Sequence, residues 1–178
     1  MNGNQPFAIG QQTPAGTILV IDELFLVSSA LAHTLRGKGF DAHSLRVTDL
    51  AGVRAAAQAY QPGLVLLDLD LGCGRDGQPI DGVDLIGPLR DLGWTVMVVT
   101  GTVSLDRIAH AIAQGATNWI VKGATFAELV HAAVEIMAGR GQLRPAARAA
   151  LIHRTTSGPT RIDQLRAQPR AAGLAAGL

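Results

Sequence analysis

Two carboxylates, Asp68 and Asp70, follow the apolar run Leu64-Val65-Leu66-Leu67, and three other apolar runs also end in groups able to do chemistry. Ile18-Leu19-Val20-Ile21 runs into Asp22-Glu23, Val96-Met97-Val98-Val99 into Thr100, and Trp119-Ile120-Val121 into Lys122. Ionised groups are costly inside a core and tolerated at the carboxyl edge of a parallel sheet, where open α/β folds place their ligand crevice. If these runs are neighbouring strands, their ends bring together four carboxylates, one hydroxyl and one ammonium. Clustered carboxylates repel one another and raise each other's pKa unless a cation joins them. The expected guest is Mg²⁺, which is usually held by one or two carboxylates plus phosphate oxygens. Lys122 and Thr100 could hold further oxygens of a transferring phosphoryl group, with Asp68 as the acceptor. Taken singly, each of these residues has a plainer role as a cap for the helix that follows; the joint pattern points to chemistry.

The elements that must position these groups can be read along the chain. Five strand signals alternate with helical stretches, which predicts βαβ units around a parallel sheet. After Asp22-Glu23, the apolar positions Leu24, Val27, Leu31 and Leu35 recur at helical spacing until Gly37 and Gly39. Ala42 to Val47 is expected as a second strand, and Thr48 or Asp49 as the cap of a helix reaching Tyr60. Pro62-Gly63 then turns into the Asp68 strand. Asp81-Gly82 opens a helix that ends at Gly93, the fourth strand is Thr95 to Val99, and its helix carries Leu105, Ile108 and Ile112 to Gly115. The fifth strand, Asn118 to Val121, leads to Thr125-Phe126-Ala127-Glu128, a capping box before a helix ending at Gly139. Five units are too few for a barrel and give an open doubly wound α/β fold. A flavodoxin-like parallel (βα)5 sheet of order 2-1-3-4-5 places the first and third strands side by side at the switch point, so that Asp22, Glu23 and Asp68 share one crevice.

Composition agrees with one domain and appendages: residues 1–16 a flexible start, 17–140 the domain, and 141–178 a helical extension with a mobile basic tail. The chain of 178 residues is 48% apolar with few aromatics, which excludes disorder for most of it. Cys73 is the only cysteine, so no internal disulfide or cysteine-rich zinc site is available. The start has neither a basic stretch nor an apolar signal core, and no apolar run approaches a membrane span, so the expectation is a cytoplasmic protein with no membrane partner. From Gly141 on, six arginines face a single acid, Asp163, whereas the rest of the chain carries nine basic and thirteen acidic residues. A basic arm can bind nucleic acid or an acidic partner, but no base-reading pattern accompanies these arginines.

Residues Ile18 to Glu128 resemble the receiver domain of two-component response regulators, most closely those of the NarL/LuxR type. The matching pieces are Ile18-Leu19-Val20-Ile21-Asp22-Glu23, Leu64-Val65-Leu66-Leu67-Asp68-Leu69, Asp81-Gly82-Val83-Asp84-Leu85, Val98-Val99-Thr100-Gly101 and Gly115-Ala116-Thr117-Asn118-Trp119-Ile120-Val121-Lys122. The resemblance implies phosphorelay signalling. A histidine kinase or phosphotransfer protein would phosphorylate Asp68, Asp22 and Glu23 would form the acidic Mg²⁺ pocket, and the carbonyl of Asp70 would complete the metal shell. Thr100 and Lys122 would contact the phosphoryl oxygens, and Thr100 and Trp119 would act as the switch that reshapes the face of the fourth helix and fifth strand. The resemblance also admits a homodimer, and implies a signalling domain whose only catalysis is its own phosphorylation and dephosphorylation. Four features depart from the family pattern: Glu23 is one methylene longer than the usual Asp, Gly123 stands where Pro usually follows the Lys, Asp70 adds charge, and Gly72 to Ile80 is a long loop expected to overhang Asp68. Leu143 to Ile152 resembles the family's linker helix, but no recognition helix follows, so DNA binding by this chain is not expected, even if it is part of a transcriptional regulator.

Two other classes compete. Asp68-Leu69-Asp70 also resembles the first motif of haloacid-dehalogenase-type phosphatases, yet those need an acidic pair downstream of the Lys, and only the isolated Glu128, Glu135 and Asp163 follow Lys122. The second is a phosphorylation-independent pseudo-receiver that works as a binding module, for which Glu23 and the long loop speak. Gly72-Cys73-Gly74-Arg75-Asp76-Gly77 matches a dinucleotide fingerprint letter by letter, but Gln78-Pro79 follows where a helix should open, so a loose surface loop is expected.

Overall fold

The computed structural model describes residues 16–74, 77–101 and 104–156. The start up to residue 15, the tail from residue 157 and the Arg75-Asp76 tip of the long loop lie outside the described residues, as do the mobile-segment expectations made for the two ends. A five-stranded parallel sheet forms from β1 (Thr17–Ile21), β2 (Asp41–Leu45), β3 (Leu64–Leu67), β6 (Thr95–Thr100) and β7 (Asn118–Val121), in the order β2-β1-β3-β6-β7. This is the expected 2-1-3-4-5 order once β4 (Asp70–Cys73) and β5 (Pro79–Asp81), an antiparallel pair of their own, are set aside.

Successive side chains of a strand point to opposite faces, so the central strands feed two cores. Leu19, Ile21, Val65, Leu67, Val96 and Val98 pack on one face under α2 (Leu50–Ala57), α3 (Val83–Asp91) and α4 (Leu105–Ala113). Ile18, Val20, Leu64, Leu66 and Met97 pack on the other under α1 (Phe25–Gly37) and α5 (Phe126–Met137). Every residue of β1 and β3 is buried, which is why these strands read as unbroken apolar runs rather than alternating ones. A last helix, α6 (Pro145–Thr156), lies along α4, and Leu143, Leu151 and Ile152 pack against the first core.

Local chemistry sets the element ends. Asp49 caps α2 by accepting from the Gly52 N–H, and Thr125 and Glu128 form the predicted capping box of α5. Three expectations are corrected. The buried stripe of α1 is Ser28, Ala32 and Leu35, whereas Leu24 and Val27 are 59% and 51% exposed; the start of α1 rises beyond the edge of the sheet, where no core reaches it. Helix α2 stops at Ala57, short of Tyr60, because Ala59 and Tyr60 close tight turns onto Ala56 and Ala57 instead. Gly72 to Ile80 is no loose loop: its two ends pair as β4 and β5.

Candidate functional site

Register builds the site. Ile21 pairs with Leu67 across β1 and β3, and the Asp68 N–H continues the ladder by donating to the Ile21 carbonyl at 2.9 Å. Asp22 and Asp68 therefore emerge together at the carboxyl edge. On the other flank Thr100 pairs with Val121, and the Lys122 N–H donates to the Thr100 carbonyl at 2.9 Å. The Lys122 side chain reaches back over the edge: its Nζ lies 2.6 Å from Asp22 Oδ2 and 2.7 Å from Asp68 Oδ2. Asp68 is 4% and Asp22 8% exposed, and Thr100 is fully buried at the end of β6.

Both carboxylates are further tied to the backbone. The Leu24 N–H donates to Asp22 Oδ1 at 2.9 Å, and the Asp70 N–H donates to Asp68 Oδ1 at 3.2 Å. Burial raises the Asp68 carboxyl above its ordinary value; the Lys122 and Asp70 N–H hydrogen bonds pull it down, the charge of Asp22 pushes it up, and the net direction is upward. Lys122 is shifted up as well: burial draws it down, but Asp22 and Asp68 outweigh that. The result is a carboxylate oxygen held against an ammonium in a notch that buries the two carboxylates and leaves the lysine partly exposed, where added negative charge would find a positive partner in place.

The other predicted residues are placed as follows. Glu23 is exposed and turned onto the hairpin, so that a Cβ on Gly72 would come within 2.8 Å of its Oε1. Trp119 is half-buried against the first core, one residue before the register partner of Val99. Asp70 directs its carboxylate away from Asp68, toward α4. No group of three or more His, Cys, Asp or Glu is arranged to hold a metal among the described residues. Asp22 and Asp68 are nevertheless the kind of donor set that suits Mg²⁺, which takes one or two carboxylates and fills its shell with water and phosphate oxygens; to join them, Glu23 would have to leave Gly72.

Two features of the site have no counterpart in the sequence reading. Gly82 lets the start of α3 come against the Asp68 strand, because a Cβ there would overlap the Asp68 carbonyl oxygen. Arg107, in the first turn of α4, donates from Nη1 to Asp70 Oδ1 and from Nη2 to the Leu69 carbonyl at 2.8 Å and Asp81 Oδ1 at 3.1 Å. Asp70 and Asp81 face each other across the hairpin, where like charges are unfavourable, and the guanidinium joins them. An arginine 37 residues from Asp70, on a different helix, leaves no local signal.

Comparison with known proteins gives the geometry its context. The family model described as the response regulator receiver domain matches residues 18–134. The nitrogen assimilation regulatory protein NtrX of Azorhizobium caulinodans is 27% identical over 158 residues, which are 86% of this chain and 34% of that protein. The virulence-factor transcription regulator BvgA of Bordetella pertussis is 26% identical over 124 residues, 68% of this chain and 56% of BvgA. The chain thus spans between about a third and about half of the length of these relatives. Among solved structures, a response regulator from Burkholderia pseudomallei with a phosphorylated aspartic acid, a calcium ion and citrate superposes with a TM-score of 0.57 at 25% identity, covering 81% of this chain and 75% of that one. A LuxR-family response regulator from Aurantimonas sp. SI85-9A1 superposes with a TM-score of 0.61 at 20% identity, covering 78% and 95%, and speaks for the fold alone. No helix among the described residues is long and apolar enough to cross a membrane.

Proposed function

Since the chain belongs to the response regulator receiver domain family of two-component systems, we propose that it accepts a phosphoryl group from a histidine kinase or phosphotransfer protein on Asp68. The observation that carries the reading is the Lys122 ammonium bridging Asp22 and Asp68 at 2.6 and 2.7 Å. In the transfer, a carboxylate oxygen of Asp68 forms the new O–P bond while the P–N bond of the donor phosphohistidine breaks, its electron pair returning to the imidazole nitrogen, which is protonated. The chain's part is to hold the acceptor oxygen in place and to offset charge. Lys122 supplies the fixed cation, and the fully buried Thr100, next to it at the sheet edge, supplies a hydroxyl for the phosphoryl oxygens. Asp22, Asp68 and the Asp70 carbonyl would hold Mg²⁺, with Glu23 joining on leaving Gly72; the ion's contribution is to neutralise charge on the transferring group. Phosphorylation then redirects Thr100 and Trp119 and changes a protein-interaction face.

The test is the chemistry of the bond formed. Incubation with acetyl phosphate and Mg²⁺ should give a label that hydroxylamine removes, as an acyl phosphate requires, and that Asp68→Asn abolishes. A label that resists hydroxylamine would contradict the reading. Two observations favour a phosphorylation-independent binding module instead: Glu23 faces the hairpin, and Lys122 already offsets one of the two charges of the acidic pair. That alternative predicts no response of tryptophan fluorescence to millimolar Mg²⁺.

A further inference from the structure

Arg107 links the neighbourhood of Asp68 to the C-terminal helix through polar contacts and one step along the α4 backbone, from Arg107 to Asp106. Asp70 is in contact with both sides: its N–H donates to Asp68 Oδ1 at 3.2 Å, and its carboxylate is held by Arg107 Nη1. Arg107 sits in α4, where its own N–H donates to the Ser104 hydroxyl that caps the helix. Helix α4 is in turn fastened to α6 at both ends. Arg148, in the first turn of α6, donates to the Ile112 carbonyl at 2.7 Å, which the Gly115 N–H also uses, and to the Ala116 carbonyl just past the end of α4 at 2.8 Å. Arg154, near the end of α6, donates to Asp106 beside Arg107 at 3.1 Å. The two helices are therefore antiparallel, and the residue adjacent to Arg107 is one of the points at which α6 is fixed.

The segment before α6 is anchored independently. Asn118 Nδ2 donates to the Gly141 carbonyl at 2.9 Å, which ties the linker to β7. Leu143 extends the anchor: it packs on the first core and its N–H donates to the Thr117 carbonyl at 3.5 Å, which leaves Arg144 as the joint to α6. The half-buried Leu151 and Ile152 of α6 also pack against the core, beside the charge-assisted bonds of its two arginines.

We propose that Arg107 is a latch: by fastening the Leu69-Asp70 segment to α4, it makes the docking of α6 depend on the charge carried at Asp68. The phosphorylation half of this inference rests on the function proposed above; the structural half does not. A phosphoryl group brings roughly two negative charges and strong acceptor oxygens next to Asp70. Arg107 is the cation that already serves Asp70, Asp81 and Leu69, and a guanidinium shared among them is drawn to the new acceptor. Its movement turns the first turn of α4, Asp106 leaves Arg154, and the C-terminal half of α6 loosens while Arg148 still holds its first turn.

Amide hydrogen exchange on the full chain tests this. In unphosphorylated Arg107→Gln, the amides of residues 149–156 should exchange on the order of tenfold faster than in wild type, while β3 and β6 keep their protection. Wild type treated with acetyl phosphate and Mg²⁺ should show a similar rise, and Arg107→Gln treated in the same way should show no further one. Wild-type exchange of α6 in unphosphorylated Arg107→Gln, or an equal phosphorylation-dependent rise in both proteins, would overturn the latch. If wild type takes no label, the proposed function fails, and the comparison of the two unlabelled proteins alone decides the latch. Should Arg107→Gln lose the protection of β3, Arg107→Lys carries the same comparison, because a lysine keeps the charge but cannot bridge both carboxylates and the Leu69 carbonyl at once.

Discussion

Ile21 and Leu67 are register partners in adjacent parallel strands, and the residue after each is an aspartate. That pairing brings two carboxylates to the same edge, where the only cation within ion-pairing distance of both is Lys122 among the described residues.

Removing Lys122 leaves two nearly buried carboxylates facing one another. Lys122→Ala should lower stability by about 1–3 kcal/mol, less than a fully buried pair would cost, because the lysine side chain is 36% exposed. If Asp22 and Asp68 also hold Mg²⁺, the ion replaces the missing cation, so millimolar Mg²⁺ should raise the melting temperature of Lys122→Ala more than that of wild type. Equal Mg²⁺ effects would show that the carboxylates do not share the ion.

The raised Asp68 carboxyl has a consequence for stability. A carboxyl that titrates above 3.8 in the fold binds more protons folded than unfolded between 3.8 and its folded value, so stability falls as pH rises through that window. Asp68→Asn, which never ionises, should therefore melt higher than wild type at neutral pH, and the difference should close as acid protonates Asp68 in wild type. Melting curves from about pH 4 to about pH 8 check the sign; a variant less stable than wild type at neutral pH would mean that Lys122 outweighs burial.

The sequence pattern recovered the fold because short apolar runs that end in polar residues, buried on both faces in β1 and β3, alternate with longer stretches of helical spacing. It failed where burial is decided by distant chain. Leu24 and Val27 have helical spacing but start α1 beyond the sheet edge, and Ser28, a polar residue, lies in the core instead. The β4–β5 hairpin was hidden for a similar reason. Its strands are three and four residues long, flanked by glycines, with an aspartate pair across the base, and they read as a loop unless Arg107 is known to join Asp70 and Asp81. Asp22, Asp68, Thr100 and Lys122 could be picked out because each ends an apolar run; Arg107 ends none.

Gly72 has φ +72°, and its missing side chain is where Glu23 packs. Gly72→Ala should cost about 1–2 kcal/mol from the left-handed backbone alone, and should displace Glu23. Thermal melts give the first quantity. A loss below a few tenths of a kcal/mol would mean that the hairpin adopts another backbone.

Asp22 accepts from both Lys122 and the Leu24 N–H within the notch, whereas Glu23 lies on the hairpin. Asp22→Ala should weaken Mg²⁺ binding roughly tenfold more than Glu23→Ala, measured by tryptophan fluorescence titration. The reverse order would mean that Glu23 abandons Gly72 and is the principal ligand in solution.

Intact mass after incubation with acetyl phosphate tests the central claim most directly. Wild type with Mg²⁺ should gain the mass of one phosphoryl group, should gain little when Mg²⁺ is removed with EDTA, and Asp68→Asn should gain none. An Asp68→Asn protein that is labelled like wild type would contradict the assignment of Asp68 as the acceptor.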